Sequence, residues 1–239
     1  TYYGHINWNN GRGDDRLYFC NGVDNFGRWD ICVTRASGNS VSSDTSITLD
    51  DATRFPTSGT LVIKGNTSTF TAAYTSKSGN TLTLSSPLGQ SVGNLASVTL
   101  DIVEMTSMSV AIGKILTKHQ GRLISANYYG GETTIWYSVQ TDPEDFTTGS
   151  GVAAASSAVI SDGNGGITAL HDFGDFFIVE KEDSFHRFSI KIADSLGSKL
   201  DVIKPILSGQ SLGPIGQSSV VKILNRLYYP TKTEGFMTF

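Results

Sequence analysis

Between Gly174 and Ile190 the chain reads GDFFIVEKEDSFHRFSI, which packs Glu180, Lys181, Glu182, Asp183, Ser184 and His186 into seven positions. Carboxylate, hydroxyl and imidazole are the parts of nucleophilic catalysis, where a base takes the Ser proton and a third group orients the base. Such parts must converge. Ser184 and His186 stand two apart and share one face if both lie on a strand. The apolar residues on either side, Phe176 to Val179 and then Phe185, Phe188 and Ile190, read as two paired strands. Residues 180–184 are then the tip of a hairpin, and the expectation is a solvated turn rather than an active site. The corresponding tips CNGVDNFG, ANYYGGET and YPTKTEG repeat no His, Ser or carboxylate pair at matching offsets.

Other groupings read the same way. Asp142 and Glu144 in TDPEDF have the look of paired glycosidase carboxylates, but Asp before Pro143 is ordinary turn chemistry. Asp162, Asn164 and Gly166 in SDGNGGITAL echo a calcium loop without its distal Glu, and a Gly-rich turn entering a strand accounts for them. The Arg12–Gly13–Asp14 triplet sits in a flexible turn. His5, His119, His171 and His186 make no metal-ligand spacing, although His119 and His171 precede their strands at comparable places. No P-loop, dinucleotide or zinc motif is present. The pair Tyr128 and Tyr129, followed by Gly130–Gly131, is the one expected contact for a ligand or partner.

What must position these residues is a chain of 239 residues, long enough for a substantial core. Charged residues are 17% and the net charge is −4, against the basic excess of a nucleic-acid binder. Twenty-six glycines and short runs rich in Thr, Val, Ile and aromatics indicate short strands and many turns. Cys20 and Cys32 are expected as buried free thiols, a cross-strand disulfide requiring a register shift. No apolar run reaches the ~18 residues of a membrane span, and no signal peptide is visible. The chain starts without Met and stops on a strand-like GFMTF, as a piece of a longer protein would.

One unit recurs: DDRLYFCNGVDNFGRWDICV, QGRLISANYYGGETTIWYSV, FGDFFIVEKEDSFHRFSIKI and LNRLYYPTKTEGFMTF. Its equivalent residues Leu17, Leu123, Phe176 and Leu227 are spaced 106, 53 and 51 apart. A period near 50 with paired strands is that of β-propeller blades, and the first interval holds an insert of about 55 residues. The insert, residues 44–104, carries hairpin signals in TSGT, KGNTS and SKSGNTLTL and reads as a small β-barrel. The Ser-rich GNSVSSDTS reads as its linker. Residues 151–160 (GVAAASSAVI) read as an approach to a strand, and residues 190–206 as holding one helical turn. The expected fold is therefore all-β, β-propeller-like: a first blade segment over 1–43, the module over 44–104 and further blades over 105–239.

The series KHQGRLISANYYGGETTIWYSVQTDPEDF, SDGNGGITALHDFGDFFIVEKEDSFHRFSI and GPIGQSSVVKILNRLYYPTKTEGF resembles β-propeller proteins of tailed-bacteriophage virions. DDATRFPTSGTLVI and YTSKSGNTLTL resemble small β modules spliced into phage tail proteins. The resemblance implies a non-enzymatic structural protein of a tail nozzle or hub, assembled in the host cytoplasm into the virion. Its partners would be copies of itself in a symmetric ring, other tail proteins and a host surface receptor, with DNA only passing through a lumen. It implies no catalytic residue, no cofactor and no metal. The rival readings are a propeller module that binds a receptor or glycan, and a glycosidase using Asp142, Glu144 or Asp162.

Overall fold

The computed structural model describes residues 4–9, 15–30, 32–105, 113–140, 142–147, 154–161, 165–191, 199–208 and 213–238. The fold is all-β, with several antiparallel sheets and, among the described residues, no α-helix. The RGD triplet, Asp162 and Asn164 lie outside the described residues, as does residue 192–198, where any turn of the 190–206 segment would fall. Residues 199–206 of that segment lie on a strand, Lys199–Ser208.

The first sheet pairs β1 (Gly4–Asn9), β2 (Asp15–Cys20), β3 (Phe26–Asp30) and a distant fourth strand, Val103–Met105. Between β3 and that strand the chain builds a six-stranded sheet. It comprises β4 (Val33–Arg35), β5 (Ser46–Thr48), β6 (Gly59–Lys64), β7 (Thr69–Ser78), β8 (Thr81–Leu84) and β9 (Ser97–Leu100), in the order β4-β9-β6-β7-β8-β5. Val103–Met105 is β10.

The six-stranded sheet forms a curled half-barrel. Its alternation is that of a sheet with one wet face: Leu61 and Ile63 on β6, and Val98 and Leu100 on β9, point into a core shared with Ile47, Phe55, Tyr74 and Leu82. Its two edge strands meet where Ala36 bridges Leu49, through hydrogen bonds from Ser37 N to Thr48 O (2.8 Å) and from Asp50 N to Arg35 O (2.9 Å). The KGNTS and SKSGNTLTL signals fall on the β6–β7 and β7–β8 turns. The Ser-rich stretch is not a linker. Ser40 N donates to Val92 O, Val41 N to the Asp44 carboxylate and Gly89 N to Ser42 O, so its backbone polar groups are committed to the curled sheet.

The second four-stranded sheet is β11 (Ile115–His119), β12 (Arg122–Tyr128), β13 (Gly131–Tyr137) and β14 (Ser156–Val159), in sequence order. The β11–β12 turn takes Gln120 and Gly121 through positive φ (47° and 74°), the pairing that matches strand twist in a two-residue hairpin. The third sheet is β15 (Ile167–Asp172), β16 (Phe177–Lys181), β17 (Ser184–Lys191) and β18 (Lys199–Ser208). The last has three strands, β19 (Val221–Ile223), β20 (Arg226–Pro230) and β21 (Phe236–Thr238).

These sheets bury each other face to face. Ile124, Ala126, Ile135 and Tyr137 of the second sheet share one core with Leu170, Phe177, Val179 and Phe188 of the third. The third sheet's other face, through Ala169, Ile178 and Phe185, packs on Val220, Leu227 and Tyr229. All five residues of β16 are buried, as expected of a strand covered on both sides. Each large apolar side chain so buried contributes about 1.5–3 kcal/mol.

The contacts separate two compact units: residues 1–10, 18–27 and 104–239 in one, and residues 11–17 and 28–103 in the other. Cys20 and Cys32 are both buried free thiols. Burial raises the Cys20 thiol to about 12 and the Cys32 thiol to about 11, the nearby Asp30 charge adding to the second.

Candidate functional site

The chemically loaded hairpin of β16 and β17 is not a wet tip. Glu180 and His186 have no exposed surface, Lys181 is 1% exposed and Ser184 4%. Only Glu182 and Asp183, the two residues of the turn, are partly open. Two causes bury the rest. β16 runs one residue past Glu180, so Glu180 and Lys181 are strand positions flanked by both neighbouring sheets. The chain at Gly213 then lies against the turn: Gly213 N donates to Glu182 O (2.9 Å), and a Cβ on Gly213 would stand 1.7 Å from Lys181 O.

Strand alternation divides this cluster between two faces of the third sheet. Glu180 is opposite Phe185 and faces the last sheet, with Ile178. His186 is opposite Val179 and faces the second sheet, with Phe188. On the first face, His171 Nδ1 and Glu180 Oε1 are 2.8 Å apart. Burial pushes the Glu180 carboxyl above its ordinary value, against the pull of His171. The Glu180 charge in turn adds to burial in raising the Tyr229 hydroxyl to about 12. On the second face, Ser184 Oγ lies 3.0 Å from His186 Nε2, and Lys181 Nζ donates to Ile160 O (3.4 Å).

The arrangement therefore brings Ser and His to hydrogen-bonding distance and sets the acid on the other side of the sheet. The hydroxyl is enclosed, and a nucleophile must reach a substrate carbon as well as its base. As built, the cluster is a buried polar core, tied together by the His171–Glu180, Ser184–His186 and Lys181–Ile160 contacts.

A second imidazole–carboxylate pair closes the end of the layer between the second and third sheets. His119 Nδ1 meets Asp172 Oδ1 at 2.6 Å, and the His119 ring packs on Phe177, centroids 5.1 Å apart. Burial acts to raise the Asp172 carboxyl, but the His119 hydrogen bond, the Gly174 amide and Lys222 outweigh it and hold it low. Lys222 Nζ donates to the Asp172 carbonyl and stands 4.4 Å above the Phe173 ring. The sequence signal was the spacing: Asp172 falls 53 residues after His119, one repeat later.

The remaining candidates are spread out. Tyr129 is 85% exposed at the β12–β13 turn, whereas Tyr128 lies across Gly131, where a Cβ would meet its ring at 1.9 Å. Tyr137 is buried in the core with the Arg122 guanidinium above it, and Trp136 is half-buried. Asp142 Oδ1 accepts the Glu144 amide (3.0 Å), the local Asx turn that Asp-Pro favours, and Glu144 Oε1 accepts the Tyr18 hydroxyl (2.7 Å). No group of three or more His, Cys, Asp or Glu side chains suited to a metal ion occurs among the described residues. No protein-family model matches the chain, and no curated protein matches it in sequence.

Proposed function

We propose that the chain is a non-enzymatic structural component of a bacteriophage tail, of the nozzle or hub kind, built on β-propeller blades and acting in a ring-like oligomer. The observation that carries this reading is the stacking of the sheets. The third sheet covers a face of the second, the three-stranded last sheet covers the other face of the third, and three first strands are in contact: β1 lies against β11, and β11 against β15. Successive antiparallel sheets stacked face to face with neighbouring first strands are what propeller blades would give, which supports the reading. The repeat of 53 and 51 residues and the resemblance to virion propellers point the same way.

A propeller suits such work because its sheet edges are short and protected, so copies can pack about an axis without pairing edge to edge. The weakly acidic surface leaves passing DNA unbound. In infected cells the protein is expected to copurify with intact particles, and electron microscopy of those particles to show it as a ring at a fixed axial position. Recovery from host fractions alone would overturn the reading. A receptor-binding module is favoured by one feature, the exposed Tyr129, and predicts saccharide or receptor binding that Tyr129→Ala abolishes.

A further inference from the structure

The outer face of the curled half-barrel carries a groove of about 670 Å³, and its chemistry differs from the rest of that unit. On β6 and β9 the inward residues are Leu61, Ile63, Val98 and Leu100, so Lys64 and Ser97 point outward. Arg35 of β4 is directly opposite Ser97, and Ile63 opposite Val98 sets Lys64 opposite Ser97 from the other side. The three form one outward row across adjacent strands. Strands lie about 4.8 Å apart, so the backbones of Arg35 and Lys64 flank Ser97 at a separation of about 10 Å. Two long cationic side chains whose backbones are that far apart can both reach one oxyanion above Ser97, and all three residues line the groove.

The walls add amides and no opposing charge. Asn66 and Asn94 line the groove, Gly93 leaves it open beside Asn66, and no carboxylate lines it among the described residues. Both walls are tied down. Asn66 N donates to Ser91 O, Asn94 N to Asn39 Oδ1, and Asn94 Oδ1 accepts the Gly38 amide. Binding there would order little that is not already ordered.

The other cations of this unit are engaged. Arg16 and Arg28 both reach the Asp30 carboxylate (3.2 and 2.8 Å), Arg54 reaches Asp15 (3.3 Å), and Lys77 donates to the carbonyls of Ala52, Thr53 and Phe55. Arg35 and Lys64 alone have no partner among the described residues, and both line this groove. We infer that the groove is a binding site for an anionic saccharide, whose phosphate, sulfate or carboxylate group sits between Arg35 and Lys64 while its hydroxyls meet Ser97, Asn66 and Asn94. The inference concerns this unit by itself and does not rest on the assembly proposed above.

The test is titration of the full chain with inorganic phosphate, glucose 6-phosphate, glucuronic acid and a sulfated tetrasaccharide, followed by amide NMR and calorimetry. Unmodified glucose and a 12-nucleotide single-stranded DNA serve as comparisons. Charged sugars should shift the amides of Asn66, Gly93 and Ser97. Arg35→Met and Lys64→Met, at exposed positions, should each weaken binding about tenfold or more through loss of a charge-assisted hydrogen bond. The slope of log affinity against log salt should stay shallower than about −2, as for two cations. The inference is overturned if no charged sugar binds, if glucose binds as well as its phosphate, or if both variants bind like the parent. It is also overturned if DNA is the preferred ligand, with a steeper salt slope, or if Arg226→Met, outside the groove, weakens binding equally.

Discussion

Glu180 and Asp172, each paired with a histidine, have opposite pH behaviour because burial prevails at the first and hydrogen bonds and nearby cations prevail at the second. The Glu180 carboxyl, with no exposed surface, is raised, so the folded chain holds its proton more tightly than the unfolded chain does. Its stabilising effect is full below the ordinary value of 4.5 and is lost as pH climbs through the folded value. The Asp172 carboxyl is lowered, so its contribution is present above the ordinary 3.8 and is lost as pH falls through the folded value. Urea midpoints between pH 3 and pH 8 should therefore separate Glu180→Gln from Asp172→Asn. Relative to the parent, the first gains stability as pH rises and the second loses it. Parallel curves for parent and both variants would show that neither pair is coupled to folding. None of this was legible from the residues alone. EKEDSFH has the composition of a solvated turn, and only the sheets on both sides of β16 make its Glu and Lys interior residues.

Strands, hairpins and their alternation were open to sequence reading because their causes are local. The β6–β7 and β7–β8 turns, the β12–β13 hairpin at Gly130–Gly131 and the Asx turn at Asp142 follow from nearby Gly, Asn and Asp. What was not legible is the long-range completion of edges. The Ser-rich 38–46 stretch looks like a linker by composition, yet its partners are Val92, Gly89 and Asn94, some fifty residues on. Gln217 is a second such case. Its side-chain Nε2 donates to Leu170 O (3.1 Å) and its Oε1 accepts from Leu170 N (2.7 Å), so a single amide pairs the β15 backbone as a strand would. Leu170 is 1% exposed, and its N–H and C=O would be left buried without a partner. Gln217→Ala should cost about 1–3 kcal/mol and speed hydrogen exchange at the Leu170 amide, with lesser change in the curled half-barrel. Unchanged exchange at Leu170 would mean that water replaces the amide.

The repeat was visible in the chain as a whole because the second, third and fourth sheets follow one another without interruption, at 53 and then 51 residues. The first interval is long because the chain leaves the first sheet after β3, builds the six-stranded sheet and returns to the first sheet as β10. The same stacking leaves one surface unexplained by internal packing. The third sheet is covered on both faces, whereas on the last sheet Leu227 and Tyr229 are buried and the opposite face carries Val221, Ile223 and Phe236, 55%, 53% and 84% exposed. Val221 is opposite Tyr228, also open, and Phe236 opposite Pro230, so exposed apolar side chains gather on this face, with Arg226 opposite Ile223 and Thr238 opposite Tyr228 among them. In the proposed ring, the occupant that continues the packing is a sheet from a second copy. Ile223→Lys combined with Phe236→Lys should then lower self-association in sedimentation while leaving the monomer's stability within about 0.5 kcal/mol, as expected at exposed positions. Lysine on that face introduces two charges that a dry sheet-to-sheet contact cannot solvate. Self-association that persists unchanged would move the subunit contact away from the last sheet and remove this face from the ring.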